Sequence, residues 1–173
     1  DWIAENNPVW IEAINEPNPR NKNSTPRVYQ VFESATLTTE GYRIVWVKSV
    51  QKQLDDASRR LGRIQRTEDD FAALNKKEYQ SEEKFLSDVK GILQTNRTKH
   101  FFEYKIVATV EETTKQMHPG RPTADTSYRM IRKTIYTIEY SLIADQIKHD
   151  ACYDGVFPLI TNGKCSAPEV LLM

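Results

Sequence analysis

Four arginines crowd into the stretch SRRLGRIQR: Arg59, Arg60, Arg63 and Arg66. On an α-helix Arg59, Arg63 and Arg66 fall at i, i+4 and i+7, stacked on one face, with Arg60 alongside. A row of fixed cationic donors at that spacing can contact phosphates of a nucleic acid. The same row fits a solvated helix face. A second basic group lies downstream, at Gly120-Arg121-Pro122 with Arg129, Arg132 and Lys133. A Gly-Arg-Pro kink can lay an arginine into a narrow minor groove. The same three residues also make an ordinary turn.

Other chemistries have no scaffold in these residues. Neither a nucleophile elbow, a phosphate-binding loop, a dinucleotide fingerprint nor a zinc-protease helix occurs. The best metal set is His149, Cys152 and Cys165, whose spacing matches no zinc module and which lacks a fourth ligand. His100 and His118 stand in polar surroundings and read as surface residues. Asp55, Asp56, Glu68, Asp69 and Asp70 can pair at helical spacing with Lys52, Arg59, Arg60 and Arg66. Asp154 precedes Gly155 and reads as a turn residue.

The elements that must position these groups follow from periodicity. Residues 1–27, broken by Pro8, Pro17, Pro19 and Pro26, read as irregular. Residues 28–33 are a short strand. Residues 42–48 (YRIVWVK) are a stronger one, apolar on both faces and so expected to be covered on both. A helix is expected over 50–78, where Val50, Ala57, Ile64 and Phe71 recur every seven residues and Leu54 and Leu61 fill a second seam. A second helix over 82–95, N-capped by Ser81, makes this pair a helical hairpin. Residues 101–112 and 128–143 alternate apolar and polar groups, the pattern of a long antiparallel pair with one wet face. The Pro- and Gly-rich HPGRPTADTS between them is an exposed connection. A short helix over 143–151 and a strand over 156–161 come next. Pro158 places that strand at an edge or bulge, and Ser166 caps a last helix.

Composition sets the class. Of 173 residues 39% are hydrophobic and 28% charged, which is globular chemistry and argues against disorder, collagen or a membrane protein. No apolar run approaches the roughly 18 residues of a membrane span. The opening DWIAENNPVW carries no basic leader region, and two cysteines are too few for a disulfide framework, so a cytoplasmic setting is expected. With 24 basic and 24 acidic residues there is no global field, yet residues 20–66 and 92–134 are locally basic between acidic blocks.

In linear order, three segments resemble DDE transposases of the insertion-sequence-four superfamily. They are EGYRIVWVKSVQKQLDDASRRLGRIQR (40–66), GRPTADTSYR (120–129) with its following strand, and YDGVFPLITN (153–162), the most specific. The resemblance implies an RNase H-like core that holds magnesium or manganese on two aspartates and a glutamate. This chain resembles the stretch between the second aspartate and the glutamate, where the family carries a large insertion with paired strands. Glu169 does not match the family's glutamate. No catalytic residue is therefore carried over, and no cofactor is expected in this chain. The expected organisation is an α+β fold in three parts. Residues 1–40 flank the core, 41–162 form an insertion-type domain with a helical hairpin at 50–95, and 163–173 begin a C-terminal helix. The implied partner is DNA at transposon ends, with a homodimer open and no membrane. The alternative is a stand-alone interaction module whose helical hairpin binds another protein.

Overall fold

The computed structural model describes residues 8–15, 27–122 and 125–172. It is an α+β structure with antiparallel sheets, divided into two compact units. One unit takes residues 1–61 and 145–173, and the other takes 62–144.

The first unit is built on a four-stranded sheet. Strands β1 (Ile11–Asn15), β2 (Arg27–Glu33), β3 (Arg43–Ser49) and β6 (Val156–Thr161) lie in the order β1-β2-β3-β6, each neighbour antiparallel. Register stacks Val31 beside Val47 and Val47 beside Phe157, so one face is a continuous apolar layer. Val31, Val45 and Val47 on it are fully buried, each contributing about 1.5–3 kcal/mol of transfer free energy. The helix α4 (Ala167–Leu172) supplies Ala167, Val170 and Leu171 to this layer. A capping box opens α4: Glu169 accepts from the Ser166 amide at 2.7 Å and from its hydroxyl at 2.8 Å. Arg43 fastens the chain after β6 by donating to the carbonyls of Gly163 and Cys165 and forking onto Glu33.

Two expectations need correction here. Residues 11–15 were expected to be irregular. They form β1 because the prolines flank IEAIN without interrupting it, and Ala13 reaches the core. Strand β3 was expected to be covered on both faces. Val45 and Val47 are buried, but the opposite face keeps Ile44 and Trp46 half-buried and leaves Ile14, Val28 and Ile160 exposed.

Helix α1 (Val50–Leu74) follows β3 directly. It stops four residues short of the expected end. Asn75 leaves the helix to accept from the Ile138 amide at 2.8 Å and donate to its carbonyl at 3.3 Å. The seam expected along α1 divides. Ile64 and Phe71 are buried, whereas Val50, Leu54 and Leu61 are 59%, 62% and 64% exposed. Periodicity reveals a face; it does not say which turns of that face meet a neighbour.

The second unit joins the later turns of α1 to α2 (Glu82–Thr95) and a two-stranded ribbon of β4 (Phe102–Gln116) and β5 (Tyr128–Leu142). Ser81 caps α2 through the Lys84 amide, as expected. Rings hold the unit together: Phe71 packs edge-on to Phe102 at 5.6 Å and against Tyr140 at 5.2 Å, and Phe85 meets Tyr79 and Tyr136. Thr67 and Thr98, both fully buried, satisfy each other at 2.8 Å. Fifteen residues per strand make the ribbon about 50 Å long. Its distal half, from Ala108 to the loop, is largely exposed on both faces. The remaining helix, α3 (Ala144–Ala151), belongs to the first unit apart from its first residue.

Glycine is required at one turn. Gly155 has φ +77°, and a Cβ there would stand 2.5 Å from the Ser49 carbonyl oxygen and 2.8 Å from Gln53. Gly62 sits inside α1 with open space around it. Gly155→Ala is expected to destabilise by more than about 1 kcal/mol, while Gly62→Ala stabilises by about 0.5–1 kcal/mol. Paired urea denaturation curves check both signs, and a neutral Gly155→Ala would refute the close approach.

Candidate nucleic-acid interface

The basic residues divide by what already neutralises them. Arg60 is buried at 7% exposure and forks onto Asp154, with Nη1 and Nη2 each 2.6 Å from a carboxylate oxygen. It is thus a structural cation, which corrects its place in the phosphate-contacting row. Its partner lies 94 residues away, beyond the reach of local spacing. The Asp154 carboxylate raises the guanidinium above its ordinary pKa, against burial. Asp154 is a turn residue as expected, and also the anchor of this ion pair.

Arg59 is exposed and stands 3.8 Å from Asp56. Arg63 is half-buried, its Nε enclosed without a hydrogen-bond partner. Arg66 is exposed and carries no partner among the described residues. The row expected on α1 therefore keeps Arg66 unpaired among the described residues and Arg59 exposed but beside Asp56.

On the ribbon, Arg132 is bonded to Glu112 directly across the strands at 2.7 Å. Lys133 is bonded to Glu78. Arg121 is exposed in the connection, beside Gly120, whose φ is +147°. Arg129 is exposed on β5 and lies opposite Lys115 in the register. Neither has an ion-pair partner among the described residues. Lys115 escaped the sequence reading. The strand register could have found it: aligning the charge pairs 105/139 and 112/132 puts 115 across from 129.

Among the described residues no group of three His, Cys, Asp or Glu side chains could hold an ion. Cys152 and Cys165 form no disulfide, and Cys152 Sγ donates to the Lys148 carbonyl. No described helix is long and apolar enough to cross a membrane. No protein-family model, no curated protein and no solved structure matches the chain.

Asp56 shapes the pH response of the first unit. Burial alone would raise its carboxyl, but the Lys52 hydrogen bond at 2.5 Å, the Gly155 amide at 3.1 Å and the charges of Lys52 and Arg59 outweigh it and hold it below its usual value. A depressed carboxyl stabilises the fold above its unfolded pKa, and that contribution is lost as pH falls through the lower folded value. Acid unfolding of the wild type should therefore show a loss below about pH 4 that Asp56→Asn lessens. An identical pH profile in the two proteins would refute the assignment. For the buried pair, Arg60→Ala strands the Asp154 charge and should cost about 3–5 kcal/mol, while Arg60→Met with Asp154→Leu should recover much of it. Denaturant titration of the three chains separates these outcomes.

Proposed function

We propose that the chain is part of a DDE transposase of the insertion-sequence-four superfamily. In that reading it acts in DNA transposition by binding DNA and positioning transposon ends. It is catalytically incomplete by itself, and the complete enzyme would use magnesium or manganese. Support for an insertion comes from chain order: residues 62–144 form a unit that interrupts the sheet-bearing unit. The sheet-bearing unit would then be a flanking piece of an RNase H-like core, with the later turns of α1 and α2 as the helical hairpin of the insertion. The protein would work in the cytoplasm.

One observation carries the DNA reading. Arg66, Arg121 and Arg129 remain exposed and unpaired among the described residues, while Arg60, Arg132 and Lys133 are neutralised by Asp154, Glu112 and Glu78. Unpaired arginines on a chain of zero net charge favour local, salt-sensitive contact with an anionic polymer over general attraction. A second reading, a protein-interaction module or homodimer, draws on the exposed Val50, Leu54 and Leu61 of α1.

Duplex binding followed by fluorescence anisotropy across a salt series tests the first reading. The wild type should bind at low salt and lose affinity steeply as salt rises. Arg66→Ala with Arg121→Ala should flatten the log–log slope by about one to two units, since each neutralised phosphate contributes about 0.9. The chain with magnesium or manganese should neither nick nor join DNA, because strand transfer needs ions clamped by carboxylates. Absence of duplex binding at low salt, with self-association lost in Leu54→Asp, would favour the second reading instead.

A further inference from the structure

The ribbon's cross-strand charges follow a pattern with one break. Lys105 faces Glu139 and bonds it at 2.7 Å, Glu111 faces Lys133, and Glu112 faces Arg132 and bonds it at 2.7 Å. Each of these pairs opposes unlike charges, which steadies an antiparallel ladder. Next along the ribbon, Lys115 faces Arg129. Like charges directly opposite are destabilising. The break falls at the distal end, where neither face of the ribbon is packed and a two-stranded ribbon has least to hold it.

The surroundings do not relieve the repulsion. Asp125 is the acid of the described part of the connection, and no ion pair joins it to either cation. Arg121, also exposed, adds a further positive charge in the same connection. Meanwhile the end of the ribbon is held in shape. Met117 N donates to Ser127 O at 3.0 Å, and Gln116 Nε2 donates to the Gly120 carbonyl at 3.2 Å. Alternation from Met117 and Ser127 puts Lys115 and Arg129 at a hydrogen-bonded position, with Cα atoms about 5.5 Å apart. Both side chains leave the same face of the ribbon. The other face carries exposed Tyr128 and Met130.

We propose that the distal end of the β4–β5 ribbon is a phosphate clamp for duplex DNA, in which Lys115 and Arg129 together neutralise the backbone while the ribbon seats in a groove. This rests on the DNA reading above and names its contact. A two-stranded ribbon matches the width of the major groove, and backbone contacts from such cations fix register without reading sequence. Bound phosphate turns the repulsive pair into a shared anion site, so DNA should order the very segment that is weakest without it.

The full chain is tested with Lys115→Gln, Arg129→Gln and Lys115→Glu against a duplex, a single strand and polyglutamate, each over a salt series. The two Gln variants should each reduce the duplex salt slope by about one unit. Lys115→Glu creates a matched pair with Arg129, so it should slow hydrogen exchange in the free ribbon while weakening duplex binding by at least tenfold. A merely structural pair would change exchange and leave DNA affinity alone. Wild-type binding with unaltered slopes in both Gln variants overturns the clamp and leaves the DNA reading standing. Absence of duplex binding by the wild type overturns both. Polyglutamate competing as well as duplex, or a single strand binding more tightly than duplex, overturns the clamp in favour of an acidic protein or an unpaired strand.

Discussion

The turn at Asp154–Gly155 is the constraint on which the first unit depends. Three groups converge there from sequence positions about a hundred residues earlier. Arg60 grips the Asp154 carboxylate, Asp56 accepts from the Gly155 amide, and the Gly155 carbonyl accepts from Ser49. Lacking a Cβ, Gly155 lets the turn press against the β3–α1 junction. The turn delivers β6 to its place beside β3, where Val156 begins pairing with Lys48. Closing so long a separation costs entropy that grows only logarithmically with length. Two charge-assisted bonds in a water-poor setting, backed by the sheet itself, offset that cost. Arg60 Nε stays without a partner, so the pair serves geometry more than stability.

That closure explains how residues 62–144 can form a unit of their own. The chain leaves the first unit after Leu61 and re-enters it at Asp145. The second unit solves its core locally. Phe71 and Leu74 come from α1, Phe85, Val89 and Leu93 from α2, and Phe101, Phe102 and Ile138 from the ribbon and its approach. The Asn75 amide occupies both backbone groups of Ile138, which the ladder to β4 leaves outward-facing. It plays the part of a third strand one residue long, and it covers the ribbon edge close to the packed end. Past Tyr136, which meets Phe85, and Lys133, which bonds Glu78, the ribbon is largely exposed on both faces, and cross-strand pairs are what remain to specify its register.

Much of this was legible in the sequence where the signal was periodic and local. The alternation of Phe102, Tyr104 and Ile106 announced β4, that of Tyr136, Ile138 and Tyr140 announced β5, and Ser81 announced the start of α2. What was illegible depended on distant partners. Nothing in SRRLGRIQR distinguishes Arg60 from Arg59; only Asp154, arriving from far along the chain, makes one a buried anchor and leaves the other in solvent. The same ignorance affected the α1 seam, because Leu61 and Ile64 look alike in a heptad pattern and differ in exposure by 64% to 6%. β1 was missed for a different reason. Five residues between prolines carry too little pattern to separate a strand from a loop, and β1 forms because β2 offers it an edge.

The basic residues illustrate why composition and pattern alone overstate a candidate surface. Zero net charge means each cation has, on average, an acid to meet, and folding decides which meetings occur. Arg43 takes Glu33, Arg132 takes Glu112, Lys133 takes Glu78 and Arg60 takes Asp154. These pairings remove positive potential from the helix and from the middle of the ribbon. Lys115 and Arg129 are placed by strand register against each other and not against an acid. Exposed charges of one sign held side by side gain more from a multivalent anion than scattered ones, since one bound phosphate relieves their mutual repulsion as well as attracting each. Strand register thus sets Lys115 and Arg129 apart from the other exposed cations, and it does so without the regular helical spacing that drew attention to α1.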